Sequence, residues 1–394
     1  MTAPPATRFP LAALLVLAGA IFVSMTGEFL PTGLLPDMAA DLDVSVSQAG
    51  ILVTVFAVTV LLTTIPLASL TRGFSRKGLV VVVLLVNATA TLLAALAPSY
   101  ELLLGARILA GLCHGLFWAV IGSYAAHLVP KEQLGRAIAL TSTGGTAASV
   151  LGVPLGTALG HALDWRLAFG VIAVIMLAFA LLVLRVLPPI APSVEGAQGA
   201  QLGAVVRDPS FWSVMKVCIT IAVVMTGQFA FYTYITPFSI DVVGAPAEVV
   251  PGLLLLYGCA GAIGLVISGI VGDRYPMAAI IASIATAVLI VLAIGLFASS
   301  MLFFVIALIV WSIALAAIPT LLGTRNMRVA SLRVRDLASA GISTFFNFGI
   351  AGGSLLGALA IGPIGLEGLP FIAGGLMAAG LAFFVLSHRR ELGR

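Results

Sequence analysis

Long runs of apolar residues, separated by short polar breaks, dominate this chain. Runs of this kind fall at about 10–36, 47–71, 78–97, 101–128, 135–162, 165–188, 211–239, 248–271, 277–298, 301–324, 338–362 and 368–387. Each has about the 20 residues that a helix needs to cross the hydrocarbon core of a bilayer. Strands of a membrane barrel would instead alternate over about ten residues. The pattern predicts an all-α membrane protein with twelve transmembrane helices, called spans 1 to 12 below.

An internal repeat divides the chain into two halves. Residues 25–29 read Met-Thr-Gly-Glu-Phe, and residues 225–229 read Met-Thr-Gly-Gln-Phe. The longest polar stretch, residues 189–210, has the composition of a linker. We expect an N-terminal six-helix bundle over 1–188, a cytoplasmic linker over 189–210 and a C-terminal six-helix bundle over 211–394. Duplicated halves place a binding cavity between them, near the membrane midplane.

The composition excludes a soluble fold. Hydrophobic residues make up 61% of the chain and charged residues 9%, with a mean hydropathy of +1.20, whereas soluble domains carry about 25% charged residues. The net charge of +4 comes from basic residues scattered over short loops, so nucleic-acid binding is not predicted. The three cysteines lie inside apolar runs without metal-ligand spacing. We therefore expect no disulfide, metal or other cofactor.

The basic residues predict the orientation of the chain. Apart from Arg107 inside span 4 and Arg166 in an opposite loop, every lysine and arginine falls on the side of the two termini. The positive-inside rule places that side in the cytoplasm. The first apolar run follows Arg8 without a small-residue cleavage site, so we expect a retained helix and not a signal peptide. This predicts a multi-pass protein of the bacterial cytoplasmic (inner) membrane with both termini cytoplasmic.

Three ionisable residues inside the spans are candidates for proton coupling. A carboxylate in a membrane helix is costly and usually functional, and the counterpart of Glu28 in the repeat is Gln228, which cannot change charge. Arg107 of span 4 lies at a similar depth, so we expect it to interact with Glu28, either as a proton-coupled pair or as a fixed buried ion pair. His114 lies seven residues later on the same helix face. It is predicted either to relay a proton or to remain neutral and hydrogen-bonded in the core.

Polar and aromatic residues at reachable depths are candidates for substrate contact. Such a mixture suits an amphiphilic organic solute, although aromatic residues in membrane helices often only pack. The sparse charge favours neutral or weakly cationic substrates over polyanions. The predicted substrate contacts are Phe117, Trp118, Gln228, Tyr232, Trp311, Phe346 and Asn347.

Glycine-rich runs in spans 5 and 11 predict close helix contacts and not nucleotide binding. Their small residues recur at spacings of four, which lets helix backbones approach. A phosphate-binding loop would need a lysine and a helix terminus, and these runs lie inside apolar spans. The sequence also has no zinc-protease motif or nucleophile elbow. We therefore expect neither an enzyme nor an ATP-driven pump.

Three motifs carry a family resemblance that covers nearly all twelve spans. Residues 26–35, Thr-Gly-Glu-Phe-Leu-Pro-Thr-Gly-Leu-Leu, resemble the helix 1 motif of sugar-efflux permeases, residues 107–111 the arginine motif of helix 4, and residues 151–156 the antiporter motif of helix 5. The chain thus resembles the major facilitator superfamily, and within it the drug:proton antiporter group. The resemblance implies a monomer that exports by alternating access. It also implies a coupling role for Arg107 and a gating role for Gly152, Pro154 and Gly156.

A fourth motif of that family, between helices 2 and 3, is incomplete. Arg72 stands where the family usually has aspartate, while the copy in the second half retains Asp273 and Arg274. The resemblance implies a gating charge interaction at Asp273 and Arg274, on that half.

The predicted function is proton-coupled export of small organic molecules, drugs or metabolites, with a role in drug resistance. Its partners would be protons, a small-molecule substrate and the lipid bilayer. A narrow-specificity sugar or nucleoside exporter is an alternative. A non-transporting receptor is another, disfavoured because the linker and tails are too short for a signalling domain, and a channel suits two duplicated halves less well.

Overall fold

A computed structural model describes residues 9–71, 73–130, 133–190, 207–331 and 334–388. Within these ranges twelve helices are long and apolar enough to cross a membrane, which confirms the predicted fold class. Arg8, Arg72 and residues 191–206 of the predicted linker lie outside the described residues. The helices of the first half are α1 (Leu11–Asp41), α2 (Val46–Leu70), α3 (Arg76–Ala95), α4 (Tyr100–Leu128), α5a (Leu134–Ala147) with α5b (Val153–Ala162), and α6 (Trp165–Val186). Those of the second half are α7a (Phe211–Tyr232) with α7b (Ile235–Asp241), α8 (Val250–Arg274), α9 (Pro276–Phe297), α10 (Met301–Val329), α11 (Arg335–Ile364) and α12 (Leu369–Ser387).

The two halves use the same helix pairings. In the first half α1 packs on α5 and α6, α2 packs on α4, and α3 packs on α4 and α6. In the second half α7 packs on α11 and α12, α8 packs on α10, and α9 packs on α10 and α12. Each pairing therefore recurs six helices later, as expected for a duplicated chain.

The glycine-rich runs produce the close helix contacts that the sequence predicted. A Cβ atom added to Gly152 of α5 would lie 2.0 Å from Oγ1 of Thr26 on α1. In the second half, a Cβ atom on Gly353 of α11 would lie 2.4 Å from the carbonyl oxygen of Thr226 on α7a. Thr26 and Thr226 are equivalent residues of the repeat, so the same small-residue contact joins the first and fifth helices of each half.

Three helices depart from the predicted runs. The apolar pattern predicts the end of span 1 near residue 36, and α1 continues through Pro31 and Pro36 to Asp41. Prolines inside membrane helices are tolerated where neighbouring groups satisfy the freed carbonyls. The predicted continuous span 7 is interrupted at Thr233 and Tyr234. In α5, the five residues Ala148–Gly152 form a π-helical turn before Pro154.

The two ends of the bundle differ in charge. We call the end where α1 begins and α12 ends the basic end. The opposite end, which carries Asp41 at the end of α1 and Asp43 and Glu248 between helices, is the acidic end. The halves meet from the acidic end inward. Ser47 Oγ of α2 donates to the carbonyl of Ala358 on α11 at 2.5 Å, and nearer the middle α8 packs on the π-helical turn and α5b.

Candidate functional site

A cavity of about 340 Å³ lies between the halves at the level where they meet. Tyr232 and Tyr257 stack along its wall with ring centroids 4.9 Å apart, and Gln228 Nε2 donates to Tyr257 Oη at 3.4 Å. All of its lining residues are uncharged. They are Met25, Phe29, Gly145, Thr146, Ser149, Val153, Gln228, Phe229, Tyr232, Tyr257, Gly258, Gly261, Ala262, Leu265, Ser312, Leu315, Ala316, Pro319 and Phe346.

The Glu28 side chain points away from this cavity, into the first half. Its carboxylate is 9% exposed, and Oε2 lies 3.1 Å from Nε2 of His114, which is 3% exposed. On the other side of the imidazole ring, Nδ1 lies 3.4 Å from Ser24 Oγ. Trp118 donates its indole N–H to the same Nε2 atom at 2.9 Å. The structure therefore brings together Glu28 and His114, two predicted coupling residues, in a buried pair beside the cavity.

Arg107 is held by backbone carbonyls and not by the Glu28 carboxylate. Its Nη1 donates to the carbonyl of Gly27 at 3.2 Å, and its Nη2 to that of Glu28 at 3.1 Å. The guanidinium also lies over the ring of Phe56, 4.4 Å from the centroid. The expected charge pair between the Glu28 carboxylate and Arg107 is therefore not formed: Arg107 contacts the main chain of Glu28, and the carboxylate faces His114.

The direction of helix side chains explains this difference. Cα–Cβ bonds lean toward the N-terminus of their helix, so Glu28 leans toward the basic end, where α1 begins. His114 lies farther toward that end of α4 than Arg107 does, because α4 runs from the acidic end to the basic end. Carbonyl groups of α1 point the opposite way, toward Arg107. Matching depth along two helices predicts proximity but not which atoms meet.

Three of the predicted substrate contacts, Gln228, Tyr232 and Phe346, line the cavity. The other four lie elsewhere. Phe117 and Trp311 are fully buried in the cores of their halves, and Trp118 is hydrogen-bonded to His114. Asn347 is half-buried and donates to the carbonyl of Ser343 on its own helix at 3.0 Å. Neighbours such as Phe346 and Asn347 point about 100° apart on a helix, so depth alone does not separate lining residues from packed ones.

The predicted gating residues fall into two groups. In α5, Gly152 and Gly156 contact Thr26 and Leu30 of α1, and Pro154 follows the π-helical turn. At the basic end, Asp273 Oδ1 pairs with Arg328 Nη2 at 3.1 Å, and the Arg274 guanidinium lies 5.4 Å from the ring centroid of Tyr275. Asp273 thus joins α8 to α10, while Arg274 stacks on an adjacent residue.

Several lining residues were not predicted from the sequence, among them Met25, Phe29, Phe229 and Tyr257. A signal for two of them was present. Phe29 and Phe229 occupy equivalent positions of the repeat, and their rings stack across the two halves with centroids 6.3 Å apart and planes at 16°. Equivalent residues of a duplicated chain meet where the axis relating the copies passes, so the repeat itself indicated the position of the cavity.

The paired bundles, the cavity between them and the buried carboxylate define a multi-pass membrane transporter. Residues 17–330 match the model of the Major Facilitator Superfamily, and the chain belongs to that family. Because the members of this family are transporters, its match confirms the prediction that this chain is not an enzyme.

Relatives and solved structures agree with this assignment. A probable sugar efflux transporter of Mannheimia succiniciproducens is 30% identical over 373 residues, covering 94% of this chain and 92% of the relative. One of Haemophilus influenzae (strain ATCC 51907 / DSM 11121 / KW20 / Rd) is 30% identical over 375 residues, covering 95% and 93%. The fold is similar to an inward-facing, occupied bacterial homologue of the human lysosomal transporter Spinster, with TM-score 0.78, 16% identity and 98% coverage of both chains. It is also similar to the nucleoside transporter NupG, with TM-score 0.76, 13% identity and coverage of 96% and 99%.

Proposed function

We propose that this chain exports small neutral organic molecules in exchange for protons, across the bacterial inner membrane, as a monomer with its basic end in the cytoplasm. The buried Glu28–His114 pair carries the proposal. Two titratable groups 3.1 Å apart inside the apolar part of a bundle have a functional explanation more often than a structural one.

We infer that the described state is the one that faces the cytoplasm. The halves are in contact at the acidic end, and the cavity lies on the basic side of that contact. Along α8 and α10 its lining extends toward the basic end as far as Leu265 and Pro319. A molecule therefore enters from the cytoplasm, and the rocking of the two halves exposes it at the acidic end.

Protons and substrate use different faces of α1. Met25 and Phe29 line the cavity, whereas Glu28, between them, contacts His114 on α4. A proton bound by the pair alters the packing of α1 against α4, and the same helix forms part of the substrate wall. Each proton that moves down a potential of 100 mV provides about 2.3 kcal/mol, enough for roughly a 50-fold gradient of a neutral solute.

The cavity lining indicates the substrate class. Tyrosine, serine, threonine and glutamine groups offer hydrogen bonds, aromatic rings offer flat apolar surfaces, and no lining residue is charged. A neutral, polyhydroxylated or amphiphilic molecule fits this chemistry. Because the relatives from Mannheimia succiniciproducens and Haemophilus influenzae are named as probable sugar efflux transporters, a sugar exporter of narrow specificity is the second candidate, beside an exporter of hydrophobic drugs.

Proton coupling is tested with purified protein in liposomes that contain a pH dye. Monosaccharides, disaccharides, nucleosides and hydrophobic drugs are applied in turn to the wild type, to Glu28→Gln, and to the control Glu101→Gln, which removes an exposed carboxylate at the acidic end. We expect a substrate to evoke proton flux in the wild type and in the control but not in Glu28→Gln.

Exchange of labelled for unlabelled substrate checks that Glu28→Gln still folds and binds. Equal substrate-evoked proton flux in wild type and Glu28→Gln would show that Glu28 is structural. Flux of substrate without protons in the wild type would indicate facilitated diffusion.

A further inference from the structure

Nε2 of His114 has two hydrogen-bonding neighbours that it cannot satisfy in the same protonation state. The indole nitrogen of Trp118 lies 2.9 Å away and Oε2 of Glu28 lies 3.1 Å away. An imidazole nitrogen presents either one lone pair or one N–H in the ring plane, and an indole N–H can only donate. When Nε2 carries no proton it accepts the Trp118 hydrogen bond. When it carries a proton it donates to Glu28, and the indole loses its acceptor.

We propose that Trp118 is a positioning residue that responds to the proton on His114, so that proton binding and the orientation of the indole are linked. This inference rests on the proposed proton coupling and adds the residue through which the protonated state changes the structure. The indole N–H stabilises the unprotonated ring. Loss of that bond on protonation releases the side chain to another rotamer.

The burial of the neighbouring groups singles out the indole as the part that moves. His114 is 3% exposed and Phe117 is fully buried, whereas Trp118 is 41% exposed. Phe56 packs its ring against the imidazole, with centroids 5.2 Å apart, which holds the ring in place. Rotation of an exposed side chain leaves no cavity in the core, so its energetic cost is small compared with repacking His114.

Among the titratable side chains of the helices packed around His114, Glu28 is the one that faces its imidazole ring. From α1 the facing group is Glu28. The helix α2 has no titratable side chain, and α3 and α5a carry theirs, Arg76, Lys77 and Arg136, at the basic end. On α4 itself, Arg107 is fixed on the carbonyls of α1, and the other ionisable residues are Tyr100, Glu101, Cys113, Tyr124 and His127.

Fluorescence of Trp118 tests the link without changing the residue itself. A variant that retains Trp118 and replaces Trp165, Trp212 and Trp311 by phenylalanine is titrated in detergent from about pH 4.5 to 9. We expect the emission of Trp118 to change with a single midpoint, since a protonated imidazole quenches indole and the lost hydrogen bond alters its surroundings. The change should disappear when His114→Gln is added. A matched protein that retains Trp212, exposed at the start of α7a, should show no such change.

Transport provides the second measurement. Trp118→Phe removes the N–H but keeps an aromatic ring, so the unprotonated form of His114 loses a stabilising bond. We expect the midpoint of the pH profile of substrate exchange to move upward by about half to one pH unit. Trp212→Phe is the control and should leave the midpoint unchanged.

The outcomes separate this inference from the proposed function. The inference is overturned if the emission of Trp118 does not change with pH, or if it still changes with pH in His114→Gln. It is also overturned if Trp118→Phe leaves the midpoint of the pH profile of substrate exchange unchanged. A different result is that the emission of Trp118 changes with pH only when His114 is present, while Glu28→Gln retains full substrate-evoked proton flux. In that case the link between His114 and Trp118 exists, and the proposed role of Glu28 in proton coupling is wrong.

Discussion

At the scale of single residues, Pro31 explains why a buried arginine is bound to the backbone of α1. Proline has no N–H, so Pro31 leaves the carbonyl of Gly27, four residues earlier, without its partner in the helix. Arg107 Nη1 donates to that oxygen at 3.2 Å and Nη2 to the next carbonyl at 3.1 Å. The guanidinium therefore replaces the missing donor and holds α1 against α4.

This assignment predicts that the stability effect of Arg107 depends on Pro31. Arg107→Lys retains the charge but loses the planar pair of donors, and we expect it to lower the free energy of unfolding by about 1.5–3 kcal/mol, the range for hydrogen bonds to charged groups. In a Pro31→Ala background the restored N–H satisfies Gly27, and the same substitution should have a smaller effect. Denaturant unfolding in detergent measures both.

Arg185→Lys, at an exposed position near the end of α6, is the control and should be neutral. An equal loss from Arg107→Lys in both backgrounds would contradict the role assigned to Pro31. The similar depth of Glu28 and Arg107 in the membrane correctly predicted that these two residues lie near each other. The Pro31 connection was not predicted, because the apolar pattern does not show which carbonyl a proline inside a helix leaves without its donor.

At the scale of helices, the interruption in α7 builds the contact that closes the acidic end. Pro237 cannot donate to the carbonyl of Thr233, and the chain breaks there before α7b begins. Tyr234, at the break, donates its hydroxyl to the carbonyl of Ser354 on α11 at 2.9 Å. Its ring fills the space above Gly50 on α2, in the other half. The apolar run predicted the helix but not this break, because apolarity continues across it and the proline lies four residues downstream.

Gly50→Val should therefore weaken closure at the acidic end. A Cβ atom at Gly50 would lie 2.0 Å from Tyr234 Oη and 2.5 Å from its ring, and overpacking of this kind costs about 1–3 kcal/mol. We expect the open state at the acidic end to become more populated by roughly one order of magnitude. Distances between spin labels at Glu101→Cys and Glu248→Cys, in a cysteine-free background, report that population.

Gly252→Val is the matched control for this experiment. Gly252 of α8 is the counterpart of Gly50 in the second half, and no atom lies within 4 Å of a Cβ added there. The two substitutions therefore share the cost of valine in a helix and differ in the contact with Tyr234. A distance distribution that is the same in Gly50→Val and Gly252→Val would show that Tyr234 does not control closure.

At the scale of the whole molecule, the two halves share the same helix pairings and differ in the chemistry of their side chains. The apolar pattern predicted the twelve helices because membrane insertion depends on hydrophobicity over about 20 residues. It does not specify how the halves face each other, since that depends on single contacts such as those of Gly258 with the carbonyl of Ser149. The side chains at the repeat also diverge: Glu28 faces α4 inside its half, while Gln228 faces the cavity and bonds to Tyr257.

This divergence predicts that an acid at the equivalent position of the second half is not sufficient for proton coupling. Gln228→Glu places a carboxylate in the cavity without a histidine or arginine partner, and we expect exchange of organic cations to appear while binding of the neutral substrate weakens. In the double variant Glu28→Gln/Gln228→Glu, substrate-evoked proton flux should remain absent, because the relocated acid lacks His114. The liposome assay with a pH dye measures both, and labelled exchange verifies folding. Restored coupling in the double variant would show instead that any acid near the axis between the halves can exchange protons, and that His114 only packs.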